Sequence, residues 1–391
     1  MKTIATLAAA LALGLTGAAA AAETQGVSPN EITLGTIQDL SGPIAAYGKQ
    51  ARNGMQMRVD EINEAGGVHG RKIKLIVEDN GYDPKKALLA AQKLVSSDKA
   101  FAVVGHMGTA PNMAAMPIQF EKNVINYFPI TAAREMFEPF HKLKFSFAPP
   151  YYDQMRVVLP QLVKEKGLKK IGIVYQDDDF GLEVLRGAEA GLATLNMQLV
   201  EKASFKRGAT DFSSQIAKLK AAECDLVVLG TIIRETVGSI GEARKTGFNP
   251  VFLGTSALYS HLIHQLGGKA VEGLYGVHMA AHPYPDEESK PVAEWAAHYK
   301  AKFSEDPTVF SVYGYSAIDT FAKAADKAGQ DLTTDSFVGA LETMTFASDI
   351  FGSPEIKFSK TSRLGAKDVR IAQITNGKWK TVSKYFSIHG N

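Results

Sequence analysis

Cysteine is nearly missing: Cys224 is the only one in 391 residues. No disulfide can form within the chain, and thiolate-ligated zinc cannot be built from one thiol. An excess charge of either sign is missing too, since Lys+Arg 43 against Asp+Glu 41 leaves a formal +2. So even a balance argues against nucleic acid or an anionic membrane surface as the partner. No apolar run long enough to span a bilayer follows Ala22. Gly 35 and Pro 16 are too few for collagen-like or low-complexity chains, and 45% hydrophobic with 21% charged residues is the balance of a soluble globular protein. The length allows two or three compact units or one large α/β body.

The motifs of catalysis are also lacking. Gly105-His106-Met107-Gly108-Thr109-Ala110-Pro111-Asn112 follows a strand and opens a helix, so it can present N–H groups to an anion. It has neither the third glycine of a dinucleotide fingerprint nor the Gly-Lys-Ser/Thr of a triphosphate loop. No Gly-x-Ser-x-Gly elbow occurs. His261/His264 and His278/His282 have spacings that two helical ligands would need, but no His-Glu-x-x-His accompanies them and Pro283 argues against a helix at the second pair. They read as surface or partly packed histidines. His106 holds a better loop position. Asp177-Asp178-Asp179 lacks the glycine-turned alternation of a calcium loop and reads as a solvated turn that N-caps a helix starting near Phe180. No cofactor, metal or catalytic residue is expected, and the chain is not read as an enzyme. Cys224 reads as a small buried hydrophobe.

What is present begins with a leader. Met1-Lys2 is a short positive segment, Ile4 to Leu15 is apolar, and the alanines up to Ala22 satisfy a small-residue cleavage rule several times. This pattern predicts a signal peptide over 1–22, cut after Ala20 or Ala22, and hence a periplasmic mature protein.

Beyond it, short apolar runs alternate with amphipathic segments. Strands are predicted at 31–37, 71–78, 101–105 and 124–128, with helices over 45–64, 84–97 and 111–122 between them. The same grammar restarts near Ala148, with strands at 170–175, 197–205, 225–230, 251–254 and 273–277 and helices over 180–195, 211–222 and 235–246. Such alternation implies parallel, doubly wound sheets. Helices follow at 292–303, 311–328 and 335–344. Two tail strands, 369–375 and 379–386, turn at Asn376-Gly377. The fold class is therefore α/β, with two Rossmann-like doubly wound lobes. The expected division is 27–148 plus 279–350 for one lobe and 149–278 plus 351–386 for the other, joined by a hinge of three chain crossings.

Several stretches in order resemble the type I periplasmic binding proteins, in particular the leucine/isoleucine/valine-binding family that feeds ABC transporters. They include Ile32-Thr33-Leu34-Gly35, Leu40-Ser41-Gly42-Pro43, Tyr47-Gly48, Glu61 through Arg71, Asp83-Pro84, Val104-Gly105-His106, Gly208 through Ser213 and Ala243 through Gly247. The resemblance spans about Val27 to Phe386. It implies capture of one small organic acid or amino acid in the interlobe cleft by hinge closure and a membrane permease as partner; nothing in the sequence requires oligomerisation, so a monomer is expected. It places the ligand carboxylate on amides and hydroxyls of Met107, Gly108 and Thr109 and of Ile130 and Thr131. Tyr47 and Phe180 are implied as aromatic walls from the two lobes. Ser256 occupies the position where amino-acid binders of this family carry the carboxylate that neutralises the ligand ammonium, and Ile232 replaces a tyrosine. A buried ammonium without an anion is costly, so Tyr47, Phe128, Tyr151, Tyr152, Phe180 and Ile232 are expected to line a site for a flat or apolar acid such as an aromatic carboxylate, with Arg134 or Arg234 as an added cation. A branched-chain amino acid, neutralised by Asp153, Asp178 or Glu235 instead, stays open, as does a sensory role.

Overall fold

The computed structural model describes residues 24–286 and 288–389; the expected leader over 1–22 lies outside them. The first half runs β1 (Glu31–Gln38), α1 (Ala45–Glu64), β2 (Lys72–Asp79), α2 (Pro84–Gln92), β3 (Ala102–Val104), α3 (Thr109–Glu121), β4 (Ile125–Tyr127) and β5 (Lys144–Phe145). These strands form one parallel sheet in the order β2-β1-β3-β4-β5. β1 has all but its first residue buried, the pattern of a strand covered by helices on both faces. α2 does not continue to Ser97 as a regular helix; its last turn, Lys93–Ser97, widens to a π-helix.

The second half opens with a helix that the sequence reading does not place, α4 (Tyr151–Lys166). β6 (Ile171–Gln176), α5 (Asp179–Ala193), β7 (Glu201–Phe205), α6 (Ser213–Ala221), β8 (Leu226–Gly230), α7 (Arg234–Lys245), β9 (Val251–Gly254), α8 (His261–Gly267) and β10 (Tyr275–His278) follow. The parallel part of this sheet is ordered β7-β6-β8-β9-β10, which repeats the strand order of the first sheet. Asp178 caps α5, its Oδ1 accepting from the amides of Phe180 and Gly181, as expected of the acidic run.

The helical stretch is α9 (Lys290–Phe303), α10 (Val309–Ala328) and α11 (Thr334–Thr343), which leads into the short β11 (Thr345–Phe346) and β12 (Ile356–Lys357). The tail strand β13 (Asp368–Thr375) then joins the second sheet antiparallel to β10, β14 (Lys378–Thr381) pairs antiparallel with β13, and β15 (Phe386–Ser387) pairs with the start of β13. Asn376 and Gly377 take φ of 55° and 71°, the left-handed pair that a tight hairpin needs. Residues 356–365 lie against the first sheet, not the second. Phe358 packs edge-on to Phe145 at 5.1 Å, Ser146 bridges Leu364, and buried Arg363 pairs with Glu342 at 2.7 Å. The chain passes between sheets at 146–150, 278–281 and 364–368. The first and third crossings are tied together, the Gly365 amide donating to the Ser146 carbonyl at 2.8 Å and Ala366 to Phe147 at 3.3 Å, while Ala281 on the second donates to Phe351 at 2.9 Å.

Among the described residues no helix is long and apolar enough to cross a membrane. Cys224 is buried and its thiol is pushed up to about 11 by that burial, so it packs as a hydrophobe.

α1 and α10 pack backbone to backbone. A Cβ at Gly54 would lie 2.0 Å from the Ser311 carbonyl oxygen, and one at Gly314 would lie 2.0 Å from that of Ala51. Either Gly→Ala change must push the helices apart. Gly54→Ala is expected to lower stability by about 1–3 kcal/mol, read as a fall in the thermal unfolding midpoint; an unchanged midpoint contradicts this packing.

Candidate ligand-binding cleft

In parallel sheets of this order, loops diverge where successive connections leave on opposite faces, and that gap accepts ligands. Here the gaps lie between β1 and β3 and between β6 and β8. The loops leaving them face each other across a narrow space of about 30 Å3. The first half contributes Ile44 and Tyr47 after β1, Met107, Gly108 and Thr109 after β3, and Ile130 and Thr131 after β4. The second half contributes Tyr151 from α4, Phe180 after β6, Ile232 after β8 and Ala257 after β9. Tyr82 and Phe310 complete the wall.

The lining is aromatic and hydroxylic. Tyr47 stacks on Phe310 at 3.7 Å, and Tyr151 meets Phe180 edge-on at 5.0 Å. Burial raises the phenol pKa of Tyr47, Tyr82 and Tyr151, so all three stay neutral. The Thr109 and Thr131 hydroxyls lie 2.7 Å apart. One proton serves their mutual bond and the other is left to donate. Among the described residues, no lysine, arginine, aspartate or glutamate lines this space.

The implied amide contacts need correction. The Met107 amide donates to Ile37, Gly108 to Ile130 and Ile130 to His106, because Met107 and Ile130 form a parallel bridge that prolongs the β3–β4 ladder. These residues line the cleft with their amides already spent. The donors of the first turn of α3 that precede its first bond, from Asn112 to Gly108, are the Thr109 and Ala110 amides, since Pro111 has no N–H. Thr109 heads that turn.

Two other expected residues are not in the wall. Tyr152 turns away from it, with the Arg134 guanidinium 4.0 Å above its ring; successive helical residues point about 100° apart, and Tyr151 takes the inward direction. Ser256 is held by Gln154, whose Nε2 donates to its Oγ and whose Oε1 accepts from its amide, both at 2.9 Å. Its neighbour Ala257 reaches the cleft instead. Phe128 stacks on Phe147 and faces a different cavity. His106 is fully buried, and desolvation lowers its pKa to about 3. Of the paired histidines, His278 stacks on Tyr259 at 4.8 Å, His282 meets Tyr259 edge-on, and His261 lies beside His282. Among the described residues, no three His, Cys, Asp or Glu side chains are grouped to hold a metal. Ile44, Tyr82, Ala257 and Phe310 are the wall residues that sequence reasoning missed. Only Tyr82, beside the turn glycine Gly81, carried a local signal, a loop aromatic after a strand.

The charged side chains sit around the cleft and join its two sides. Arg134, from the loop after β4, reaches Glu183 of α5 at 3.3 Å. Arg207, from the loop after β7, pairs with Asp178 at 2.6 Å, donates to the Tyr82 carbonyl and covers the Tyr82 ring. Each half thus sends one arginine across to the other. Asp153 is engaged by Arg156 at 2.7 Å, and Arg234 is exposed. Glu235 is buried at the head of α7 and its charge acts on Tyr47.

Comparison with known proteins agrees with this architecture. Residues 31–378 match the family model described as periplasmic binding protein. The chain is 28% identical over 328 residues to a leucine-, isoleucine-, valine-, threonine- and alanine-binding protein of Pseudomonas aeruginosa, covering 82% of this chain and 84% of that protein. Among solved structures, it is similar to a fatty acid ABC transporter substrate-binding protein from Thermomonospora curvata, with TM-score 0.85, 25% identity, and coverage of 93% of this chain and 94% of that one. A Rhodopseudomonas palustris ABC transporter solute-binding protein in complex with benzoate has TM-score 0.80 at 18% identity, covering 90% and 96%.

Desolvation raises the Glu235 carboxyl above its ordinary pKa, outweighing the help of nearby backbone N–H groups and Arg234. A carboxyl of raised folded pKa stabilises the fold below its unfolded value, and that contribution is lost as pH rises through the folded value. Glu235→Gln escapes the loss. Its thermal midpoint is expected to exceed that of the parent protein at pH 7, with the difference closing near pH 4; a difference independent of pH contradicts a desolvated carboxylate.

Proposed function

Because the chain belongs to the periplasmic binding protein family, we propose that it is the substrate-binding component of an ABC importer and captures a small organic acid that carries no α-ammonium, an aromatic carboxylate being the best fit. It binds and releases this ligand without transforming it. The observation that carries the reading is the uncharged cleft. A carboxylate needs donors, and the Thr109–Thr131 hydroxyls with the first turn of α3 supply them at the positive end of a helix dipole, equivalent to about half an elementary charge. An ammonium needs an acceptor anion, and the Ser256 position offers a hydroxyl already bonded to Gln154. The aromatic walls suit a flat ring.

The lobes correspond to the two sheets, the protein works as a monomer, and a permease reads the closed state, in which Arg134 and Arg207 clasp the opposite half. Ligand stabilises that state only by binding it better than the open one. The benzoate complex of the R. palustris relative and the fatty acid named for the T. curvata relative support an acid ligand. The P. aeruginosa relative, named for aliphatic amino acids, supports a second reading, which Glu235 favours: it is a buried carboxylate close to Tyr47 and available to an ammonium.

A thermal-shift panel separates the two. Benzoate or cinnamate at 100 times Kd is expected to stabilise the protein by about 2.7 kcal/mol and raise its midpoint, with leucine and valine inactive. Thr131→Val is expected to weaken the acid's affinity about tenfold, the worth of one charge-assisted hydrogen bond. A shift with leucine alone, abolished by Glu235→Gln, replaces the first reading with the second.

A further inference from the structure

The boundary between the two halves carries an ion pair whose members differ in their access to water. Glu183, on α5 of the second half, has a fully buried side chain, whereas Arg134, on the loop after β4 of the first half, keeps 32% of its side chain exposed. Donors from both halves converge on the Glu183 carboxylate. The Arg134 Nε reaches Oε1 at 3.3 Å and the Arg134 amide reaches Oε2 at 3.4 Å, while Arg186, one turn along α5, reaches Oε1 at 2.8 Å. The Arg134 guanidinium also lies 4.0 Å above the Tyr152 ring of α4. Both partners of the Arg134 side chain thus belong to the opposite half, and Arg134, Tyr152 and Glu183 all stand outside the cleft wall.

Beside Arg134 stands a second carboxylate. Glu135 follows it in the same turn, and its Oε2 is buried with no hydrogen-bond partner among the described residues. Burial, with the Glu183 charge adding to it, raises the Glu135 carboxyl above its ordinary pKa, although its own amide, Arg186 and Arg134 oppose the shift. The first half therefore presents a cation and an acid side by side to a buried anion, and only the cation makes that meeting favourable. Arg186 travels with Glu183 on α5 and is there whether or not the halves meet, so it does not favour one arrangement over the other. A carboxylate taken out of water is costly, and stripping away its cation alone costs far more than removing both charges together.

We propose that Arg134 is a positioning residue for ligand capture: its charge lets the buried Glu183 carboxylate dock against the first half, and so it sets how long the halves stay together over a ligand that it does not touch. This rests on the reading of the chain as a binding protein. The cleft wall Phe180 lies one turn before Glu183 on α5, on the same side of the helix, so the pair also holds that wall in place.

The test compares Arg134→Gln, Glu183→Gln and the double variant by stopped-flow kinetics, with benzoate as the probe, or leucine where only leucine shifts the parent's thermal midpoint. Arg134→Gln is expected to raise the dissociation rate at least about tenfold and to leave association within about threefold of the parent, since truncating one member of a buried charge pair acts on dissociation. Glu183→Gln alone should cost less than Arg134→Gln, because Arg134 and Arg186 can both turn to water. Adding Glu183→Gln to Arg134→Gln should return dissociation to within about threefold of the parent, because no unpaired buried charge then remains. A residue that gripped the ligand, or merely held the fold, is not rescued by deleting a second charge. An unchanged dissociation rate in Arg134→Gln, a loss carried by association, or a double variant as impaired as the single one overturns the inference; the last outcome would make Arg134 a direct ligand contact. If neither probe shifts the parent, the capture reading fails by itself and the separation of the halves decides. Spin labels on Leu89→Cys of α2 and Lys218→Cys of α6, both exposed positions, in a Cys224→Ser background, should lie further apart in Arg134→Gln than in the parent and return in the double variant. Equal separations in all three overturn the inference.

Discussion

A parallel strand can be followed by another only after the chain has travelled back over the sheet, so every loop at the carboxyl edge starts a return journey and all of them gather at one rim. Both sheets of this protein obey the same strand order, and the two rims are turned toward each other. The cleft follows from that arrangement. Its polar centre is the Thr109–Thr131 hydroxyl pair, and the pair exists because β3 and β4 are neighbours whose ladder continues through the Met107–Ile130 bridge. That ladder consumes the Gly108 and Ile130 amides and leaves the hydroxyls and the head of α3 at the cleft.

What surrounds the hydroxyls decides what can bind. Three buried phenols, Phe180, Phe310 and a few aliphatic side chains make a low-dielectric lining in which one well-placed donor counts for more than in water and an unpaired cation is excluded. The ions are kept at the margin. Arg134 and Arg207 each span the cleft, Arg134 to a buried Glu183 and Arg207 to the Tyr82 carbonyl and ring. The charged groups thus pair outside the cleft, and among the described residues none lines it. Behind it the first and third chain crossings are hydrogen-bonded to each other, Gly365 to Ser146 and Ala366 to Phe147.

Much of this was legible in the residues. Alternating strand and helix patterns located both sheets, Asp178 read as a helix cap, and Asn376-Gly377 read as a hairpin turn, because each is a local preference of the chain. The residues Tyr47, Met107, Gly108, Thr109, Ile130, Thr131, Phe180 and Ile232, named from the resemblance, line one space. The failures are of a different kind. β5 is two residues long, too short for any periodicity. Tyr151 and Tyr152 are adjacent, and only the phase of α4 says which one faces in. Ser256 is claimed by Gln154, 102 positions away, and Phe310 stacks on Tyr47 from the far side of the sequence. Side-chain partnerships at such separations leave no local trace.

The most direct test is a crystal structure of the protein with benzoate bound. The account predicts the carboxylate within hydrogen-bonding distance of the Thr109 and Thr131 hydroxyls at the head of α3, with the ring between Tyr47 and Phe180. A carboxylate found on Arg134 or Arg207, or a cleft that stays empty with benzoate yet holds leucine with its ammonium on Glu235, would contradict it.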